Sequence, residues 1–377
     1  MNSRRDRAWM EVDLGVIERN YLKIEAALPE GCRIMAVLKA NAYGLGAVPV
    51  AKVLQRLGCP IFAVATLEEA IELRENRIDT PVLILGPIDP AHAALSVEQG
   101  WQVPFVDYEG AKKLSGAASS LGQKLEGHVK IDSGLSRWGL VVKNRLSECL
   151  SEIEAIASLP GLSVVGVFTH TTHFAPGQAE REREELELFA RVASRLKAAN
   201  LGLKAHCLSS STLLNFPEYS YDFVRIGALY AGMDPEYSSR FGVAQAVGLK
   251  TRIVQTKWLE EGASVSYGAT CVASRPTRIA LTPIGYADGL RRSLSNRGAM
   301  IVRGKKAPIV GKICCDVTIL DVTDIPEARE GDVVTIFGRD GAEEQYVYHY
   351  ADLYPASISE VTATLASRIP RFYSKSS

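Results

Sequence analysis

The chain has 377 residues, enough for one large or two ordinary domains. Its 43 basic side chains balance 43 acidic ones, which removes the electrostatic argument for nucleic acid or an anionic membrane surface as partner. Seven cysteines without a CxxC pair make neither a disulfide scaffold nor a zinc site, and no apolar stretch is long enough to span a bilayer.

The N-terminal MNSRRDRAWMEVD carries arginines with no apolar run behind them, which argues against a signal peptide and for a cytoplasmic protein. Between about residues 12 and 230 the pattern alternates. Short β-rich runs fall at Arg33–Ala40, Ile61–Thr66, Pro81–Gly86, Gln102–Val106, Gly127–Asp132, Leu162–His170, Lys204–Ser209 and Phe223–Tyr230. Amphipathic segments such as LEEAIELRENR and EREREELELFARVASRLKAAN separate them; the last connection, Ser210–Tyr221, is the shortest and weakest. Near-continuous apolar strands joined by helices indicate a parallel sheet covered on both faces, and eight such units fit a (β/α)8 TIM-type barrel. A doubly wound open sheet has the same local pattern. After about Gly242 the runs are β-rich and broken by Gly, Asp and Asn turns, and only the last thirty or so residues return to a helical pattern. The expected division is a barrel over residues 1–243 and a mainly β domain over 244–377, with residues 1–12 candidates for packing on the latter.

A barrel collects its functional groups at the carboxyl ends of its strands. Those positions hold Lys39, the Asp132–Arg137 segment, His170, Ser209–Ser210 and Arg225–Gly227. Strand ends meet solvent and are often polar, so it is the set and not any one member that carries the argument. A lysine amine can join a carbonyl compound covalently. Hydroxyls and backbone N–H groups in a Ser/Gly turn can hold a phosphate. An arginine can bind a carboxylate at two points or face a ring nitrogen. Together these describe a site for pyridoxal 5'-phosphate. GLGAVP lacks the third glycine of a dinucleotide loop, and His170 with His173 has no neighbouring acid or thiol to complete a metal ligand set, so no metal is expected.

The motif AVLKANAYG resembles the cofactor-lysine segment of the alanine racemase family, and KIDSGLSRWG, GVFTH, HCLSSS, VRIGALYAG, SVSYGAT, PIGYADG and GKICCD follow in family order. The resemblance spans essentially the whole chain. It implies a pyridoxal-phosphate barrel, a C-terminal β domain, and a head-to-tail homodimer with shared active sites. It implies that Lys39 carries the cofactor and exchanges a proton on one face of an amino-acid substrate, with Tyr267 serving the other face from the partner subunit. Tyr43, Ser210, Gly227 and Ala228 map to phosphate contacts, Arg137 to the substrate carboxylate and the cofactor's phenolic oxygen, and Arg225, with His170 beside it, to the pyridine nitrogen. An arginine keeps its proton, so the ring nitrogen stays unprotonated and side reactions such as transamination are suppressed. Lys130 maps to a lysine that many members carry as a carbamate, and Tyr286 and Asp316 to positions that reach the shared site. Cys315 stands where a methionine usually offers its backbone N–H to the substrate carboxylate, a contact that a cysteine can keep. Leu45, Ser209 and Ser367 also depart from the usual residues, which bears on substrate range.

The function the resemblance implies is interconversion of L- and D-alanine, supplying the D-isomer for peptidoglycan. A serine or broader-specificity racemase is the nearest alternative. A barrel-type amino-acid decarboxylase is a further one, which the Tyr267 motif argues against because decarboxylation needs no second proton-exchange base.

Overall fold

The computed structural model describes residues 7–172, 177–199, 202–353 and 356–376. The chain forms two compact units, one comprising Leu22–Ala42 and Val50–Leu229, the other Met1–Tyr21, Tyr43–Pro49 and Tyr230–Ser377.

After strand β1 (Ala8–Asp13), which belongs to the second unit, come β2 (Arg33–Val37), β3 (Ile61–Val64), β4 (Val82–Ile84), β5 (Val103–Phe105) and β6 (Leu125–Asp132). A two-residue strand β7 (Leu140–Val141) precedes β8 (Leu162–Phe168), β9 (Lys204–His206) and β10 (Phe223–Ile226). Parallel ladders join β2 to β3, β3 to β4, β5 to β6, β6 to β8 and β8 to β9, and β10 returns to β2. Parallel bridges Leu83–Gln102 and Ser209–Arg225 fill the two remaining seams. The eight strands therefore close on themselves, and the open-sheet alternative falls.

Closure follows from the residues. β6 is buried at every position except Glu126, as a strand covered on both faces must be. Helix Ala179–Ala198 turns Leu186, Phe189, Val192 and Leu196 inward at three- and four-residue steps. The weak last connection is a single short helix, Ser210–Asn215, followed by a 3-10 turn at Pro217–Tyr219. Several strands end earlier than their apolar runs suggest. β2 stops at Val37, and its run continues as one more ladder bond, Leu38 N–H to the Ala63 carbonyl at 2.8 Å. Likewise β10 stops at Ile226, because Ala228–Ala231 turns helical.

The second unit is built on β sheet. β1 pairs antiparallel with β11 (Val247–Arg252) and parallel with the last strand, Arg371–Ser374. The same sheet continues through Val333–Asp340, Ala299–Val302 and Lys305–Pro308. A separate three-stranded sheet joins Gln255–Leu259, Thr277–Thr282 and Thr318–Asp321. The terminal helical pattern accounts for Val347–Leu353 and Ile358–Ala363. It does not account for Arg371–Ser374, a strand that owes its conformation to pairing with β1 rather than to a local pattern.

Phe62 lies in β3 with no exposed surface. Phe62→Ala is expected to lower stability by about 3–5 kcal/mol through lost burial and a residual cavity, measured by urea unfolding followed by circular dichroism.

Candidate active site

In the barrel unit the site begins one residue after Leu38. Ala40, Asn41 and Ala42 take φ/ψ near 52/47, 55/48 and 51/49, and Tyr43 follows at φ 56, so the chain makes a left-handed turn directly behind Lys39. Each L-residue in that conformation costs roughly 1–2 kcal/mol, because Cβ crowds the following carbonyl. Asn41 tolerates this region, whereas Ala40, Ala42 and Tyr43 bear the Cβ cost, so the turn must be held by its surroundings. The turn is closed by Ala42 N–H donating to the Leu38 carbonyl at 2.7 Å.

Five of the expected site residues meet electrostatically. Burial and the charges of Arg137 and Arg225 hold the Lys39 amine below the usual lysine range, against an opposing pull from Glu69. Burial and the charges of Arg225, Arg137, Lys130 and Lys39 hold His170 well below the usual histidine range, so it is neutral. Lys130, 2 % exposed, donates to the Ile131 carbonyl at 2.6 Å and lies 5.3 Å from the Phe168 ring centroid. Burial and Arg225 push its amine down to about 7, with Asp132 acting the other way. The Asp132 carboxylate orders the segment leading to Arg137 by accepting from the Gly134 and Ser136 amides, both at 3.0 Å. Arg137 itself is exposed, with its guanidinium 5.1 Å from the Trp138 ring centroid.

Arg225 is buried, and a guanidinium only donates. It reaches the carbonyls of Thr169, Cys207 and His206 at 2.7, 2.9 and 3.1 Å, and Nδ1 of His206 and of His170 at 2.8 and 3.2 Å. The direction of the next bonds follows. With Nδ1 accepting, neutral His206 carries its proton on Nε2 and donates to His128 Nδ1 at 3.0 Å. His128 in turn donates from Nε2 to Gln102 Oε1 at 3.1 Å, and Gln102 donates to Glu126 Oε2 at 3.2 Å. A line of one-way hydrogen bonds thus runs from the arginine to a carboxylate on an exposed residue. Gly166 makes room for it, since a Cβ there would meet the His128 ring. Burial and the Arg225 charge hold both histidines neutral, His128 at about 4.

Ser210 opens helix Ser210–Asn215, and its Oγ accepts from the Gly227 amide at 3.2 Å, so the turns before and after β10 meet with Ala228 next in line. His173 lies outside the described residues, whereas His170 meets Arg225 through Nδ1.

The remaining expected residues belong to the second unit. Tyr43 sits in its Tyr43–Pro49 segment. Tyr267 begins a 3-10 turn after Ser266, whose own φ is 61 and whose Oγ donates to the Lys312 carbonyl at 2.6 Å. Tyr286 and Cys315 come together because the Tyr286 and Ala287 amides donate to the Cys314 and Cys315 carbonyls, both at 3.0 Å. The Cys315 side chain, with Tyr267 adding a smaller push, raises the Tyr286 phenol above its usual range. Beneath this loop Asp288, with no exposed side-chain surface, accepts from Arg7 and Arg368, each at 2.7 Å, and from the Gly285 amide at 3.0 Å. Arg368 also holds Asp316 at 2.6 Å. Burial works to raise the Asp288 carboxyl, and those hydrogen bonds outweigh it and leave it below the carboxylate range.

Glu69, Gln102, His128, His206, Asp288 and Arg368 also belong to these networks, and neither strand ends nor the motif residues single them out. His128 and Lys130 occupy alternate positions of β6 and so share one face. That period of two is the signal by which His128 is findable. The others act through pairings distant in sequence.

These residues suit an anionic, flat, carbonyl-bearing cofactor. Lys39 would offer the amine, Arg137 and Arg225 planar cationic donors, and the Ser210 and Gly227–Ala228 turns the hydroxyl and amides that a phosphate takes. The fold and this donor set define an α/β-barrel enzyme of the pyridoxal-phosphate-dependent class. Comparison with known proteins makes the assignment specific. Residues 12–235 match the model of the alanine racemase N-terminal domain, and residues 246–373 that of the C-terminal domain. The chain is 35% identical to alanine racemase of Desulfosudis oleivorans, covering 97% of this chain and 96% of that protein. It is 37% identical to alanine racemase 2 of Caldanaerobacter subterraneus subsp. tengcongensis, covering 97% and 94%. Among solved structures, alanine racemase of Clostridium difficile superposes with a TM-score of 0.87 at 30% identity, covering 98% of this chain and 96% of that one. Alanine racemase of Bartonella henselae, with covalently bound pyridoxal phosphate, gives 0.85 at 25% identity, covering 97% and 99%. The chain belongs to the alanine racemase family.

Long-range proton–nitrogen spectra are expected to show His128 and His206 as single Nε2–H tautomers, neutral throughout the physiological range. The unfolded chain takes up the His128 proton near pH 6.5 and the folded chain only near 4, so stability is lost as pH falls across that window, by about 3 kcal/mol for His128. Urea unfolding at a series of pH values measures this slope, and His128→Phe should flatten it.

Proposed function

We propose that the protein interconverts L- and D-alanine by proton exchange on both faces of the substrate Cα. The observation that carries this reading is the Lys39 amine, set directly behind the first barrel strand and held below the lysine range by burial, Arg137 and Arg225. Such an amine is free base more often at neutral pH and can accept a proton. Pyridoxal phosphate, when bound, supplies the electron-withdrawing ring that makes the substrate α-proton acidic. The chain's residues do the rest. Lys39 and Tyr267 each hold or deliver the proton at Cα, one per face, and Arg137 with the Cys315 backbone N–H orients the substrate carboxylate. Arg225, fixed by its carbonyl and imidazole acceptors, faces the ring nitrogen. Tyr43, Ser210, Gly227 and Ala228 hold the phosphate, while Tyr286 and Asp316 shape the approach.

In this reading residues 1–243 hold the cofactor and 244–377 serve the neighbouring subunit of a homodimer. The exposure of Tyr267, at 67%, with Trp258 at 64% and Val254 at 50%, supports a covering partner. No helix of the described residues is long and apolar enough to cross a membrane. The role that fits the family is supply of D-alanine for peptidoglycan in the cytoplasm. Mixing Lys39→Ala with Tyr267→Phe subunits tests the arrangement. With shared sites each hybrid dimer regains one intact site, whereas sites confined to one chain give no recovery.

Incubation with pyridoxal phosphate and single L-amino acids in heavy water, followed by chiral chromatography and mass spectrometry, tests the reaction. D-alanine is expected to form fastest, with deuterium at Cα and no carbon dioxide. Faster turnover of serine would shift the reading to the broader racemase, and carbon dioxide would shift it to a decarboxylase. Lys130 is proposed as a carbamate, because an amine near 7 is substantially uncharged at neutrality and only that form takes up carbon dioxide. Labelled bicarbonate should give a carbamate carbon resonance that is absent from Lys130→Ala.

A further inference from the structure

The left-handed turn behind Lys39 needs an anchor, because strained backbone persists only where its surroundings over-determine it. Ala42 is bonded within the turn, to Leu38. The Ala40 amide, adjacent to the lysine, is not. It donates to Glu69 Oε1 at 2.6 Å, across twenty-nine residues of sequence. The other oxygen of the same carboxylate accepts from the Ala65 and Thr66 amides at 2.7 and 3.3 Å, at the end of β3. One side chain therefore ties the turn after the first barrel strand to the turn after the second.

Glu69 is itself held firmly. It is the third residue of helix Leu67–Glu75, and Thr66 completes a capping box by accepting from the Glu69 amide at 3.4 Å. A capping box accepts glutamine as readily as glutamate. Capping alone therefore does not require a carboxylate here, but accepting from Ala40 at one oxygen and from Ala65 and Thr66 at the other does, since a glutamine has a single acceptor oxygen. The charge also reaches the lysine. Of the charged groups acting on Lys39, Arg137 and Arg225 lower its proton affinity and Glu69 raises it.

We propose that Glu69 is a positioning residue for Lys39, fixing the left-handed turn through the Ala40 amide and supplying the negative charge that offsets the two arginines. It acts through Lys39, so the inference rests on the reading of Lys39 as the cofactor lysine.

The test compares Glu69→Gln, Glu69→Asp and Thr66→Ala with the wild type, using cofactor-free protein for two of three readouts. Amide hydrogen exchange at Ala40 is expected to speed up roughly tenfold or more in Glu69→Gln, the loss of a charge-assisted hydrogen bond. The pKa of Lys39, from the pH dependence of its chemical labelling, should fall in Glu69→Gln and be retained in Glu69→Asp, which keeps the charge. In the loaded enzyme kcat should drop roughly tenfold with the alanine KM little changed. Thr66→Ala, which removes the cap and leaves the Ala40 contact, should lower thermal stability without moving the first two readouts. Unchanged Ala40 exchange and Lys39 pKa in Glu69→Gln, or the same changes in Thr66→Ala, would overturn the proposal. If Glu69→Gln does not fold, Glu69→Asp decides it. The shorter side chain must then speed Ala40 exchange while holding the lysine pKa, and protection equal to wild type sinks the idea. Borohydride trapping of wild type with pyridoxal phosphate separates the two levels. A label away from Lys39 removes the underlying reading, whereas a label on Lys39 leaves Glu69 to stand or fall on exchange and pKa.

Discussion

A guanidinium inside a barrel cannot shed its charge, so the protein must solvate it. Arg225 is solvated by three carbonyls and two imidazole nitrogens, and much of the site follows from that choice. These five acceptors are neutral, and the positive charge bears on the bases nearby. Together with burial, which is the larger cause, it lowers Lys39 and Lys130 and keeps His170 and His206 neutral with Nδ1 facing the arginine.

The second unit handles buried charge in the opposite way. Asp288 is the buried anion, and it is neutralised directly by Arg7 and Arg368. The pairing joins the residue before β1, the turn at Gly285–Gly289 and the segment before the final strand, and Arg368 extends it to Asp316. This arrangement makes rigidity where the barrel's makes reactivity. Close approach completes it, since a Cβ at Gly285 would collide with the carbonyls of Cys314 and Cys315.

Much of the barrel was legible in the sequence because its signals are local. Each strand is a short apolar run, each helix has its period, and chemistry-bearing residues sit where runs end. Lys39, Arg137, His170 and Arg225 stand out that way, Lys130 only through the family resemblance, and the structure brings all five within electrostatic reach of one another. Closure was not legible, because two of the eight seams are single bridges with no sequence pattern of their own. The left-handed turn was hidden as well. Alanine and asparagine permit that conformation without demanding it, and the demand comes from Glu69 and Leu38. The last strand escaped for the same reason as Glu69, since its partner, β1, lies at the other end of the chain. Tyr267, Tyr286 and Cys315 were identifiable only through family resemblance, and no periodicity distinguishes them from ordinary loop residues.

The equal count of acidic and basic side chains conceals an uneven distribution. Lys39, Lys130, Arg137 and Arg225 are gathered at one end of the barrel, and the acids that reach the two lysines, Glu69 and Asp132, offset only part of that positive charge. A phosphate and a carboxylate taken up among these cations would offset the local surplus, moving the charge of the whole from zero to the acid side and its isoelectric point below that of the bare sequence.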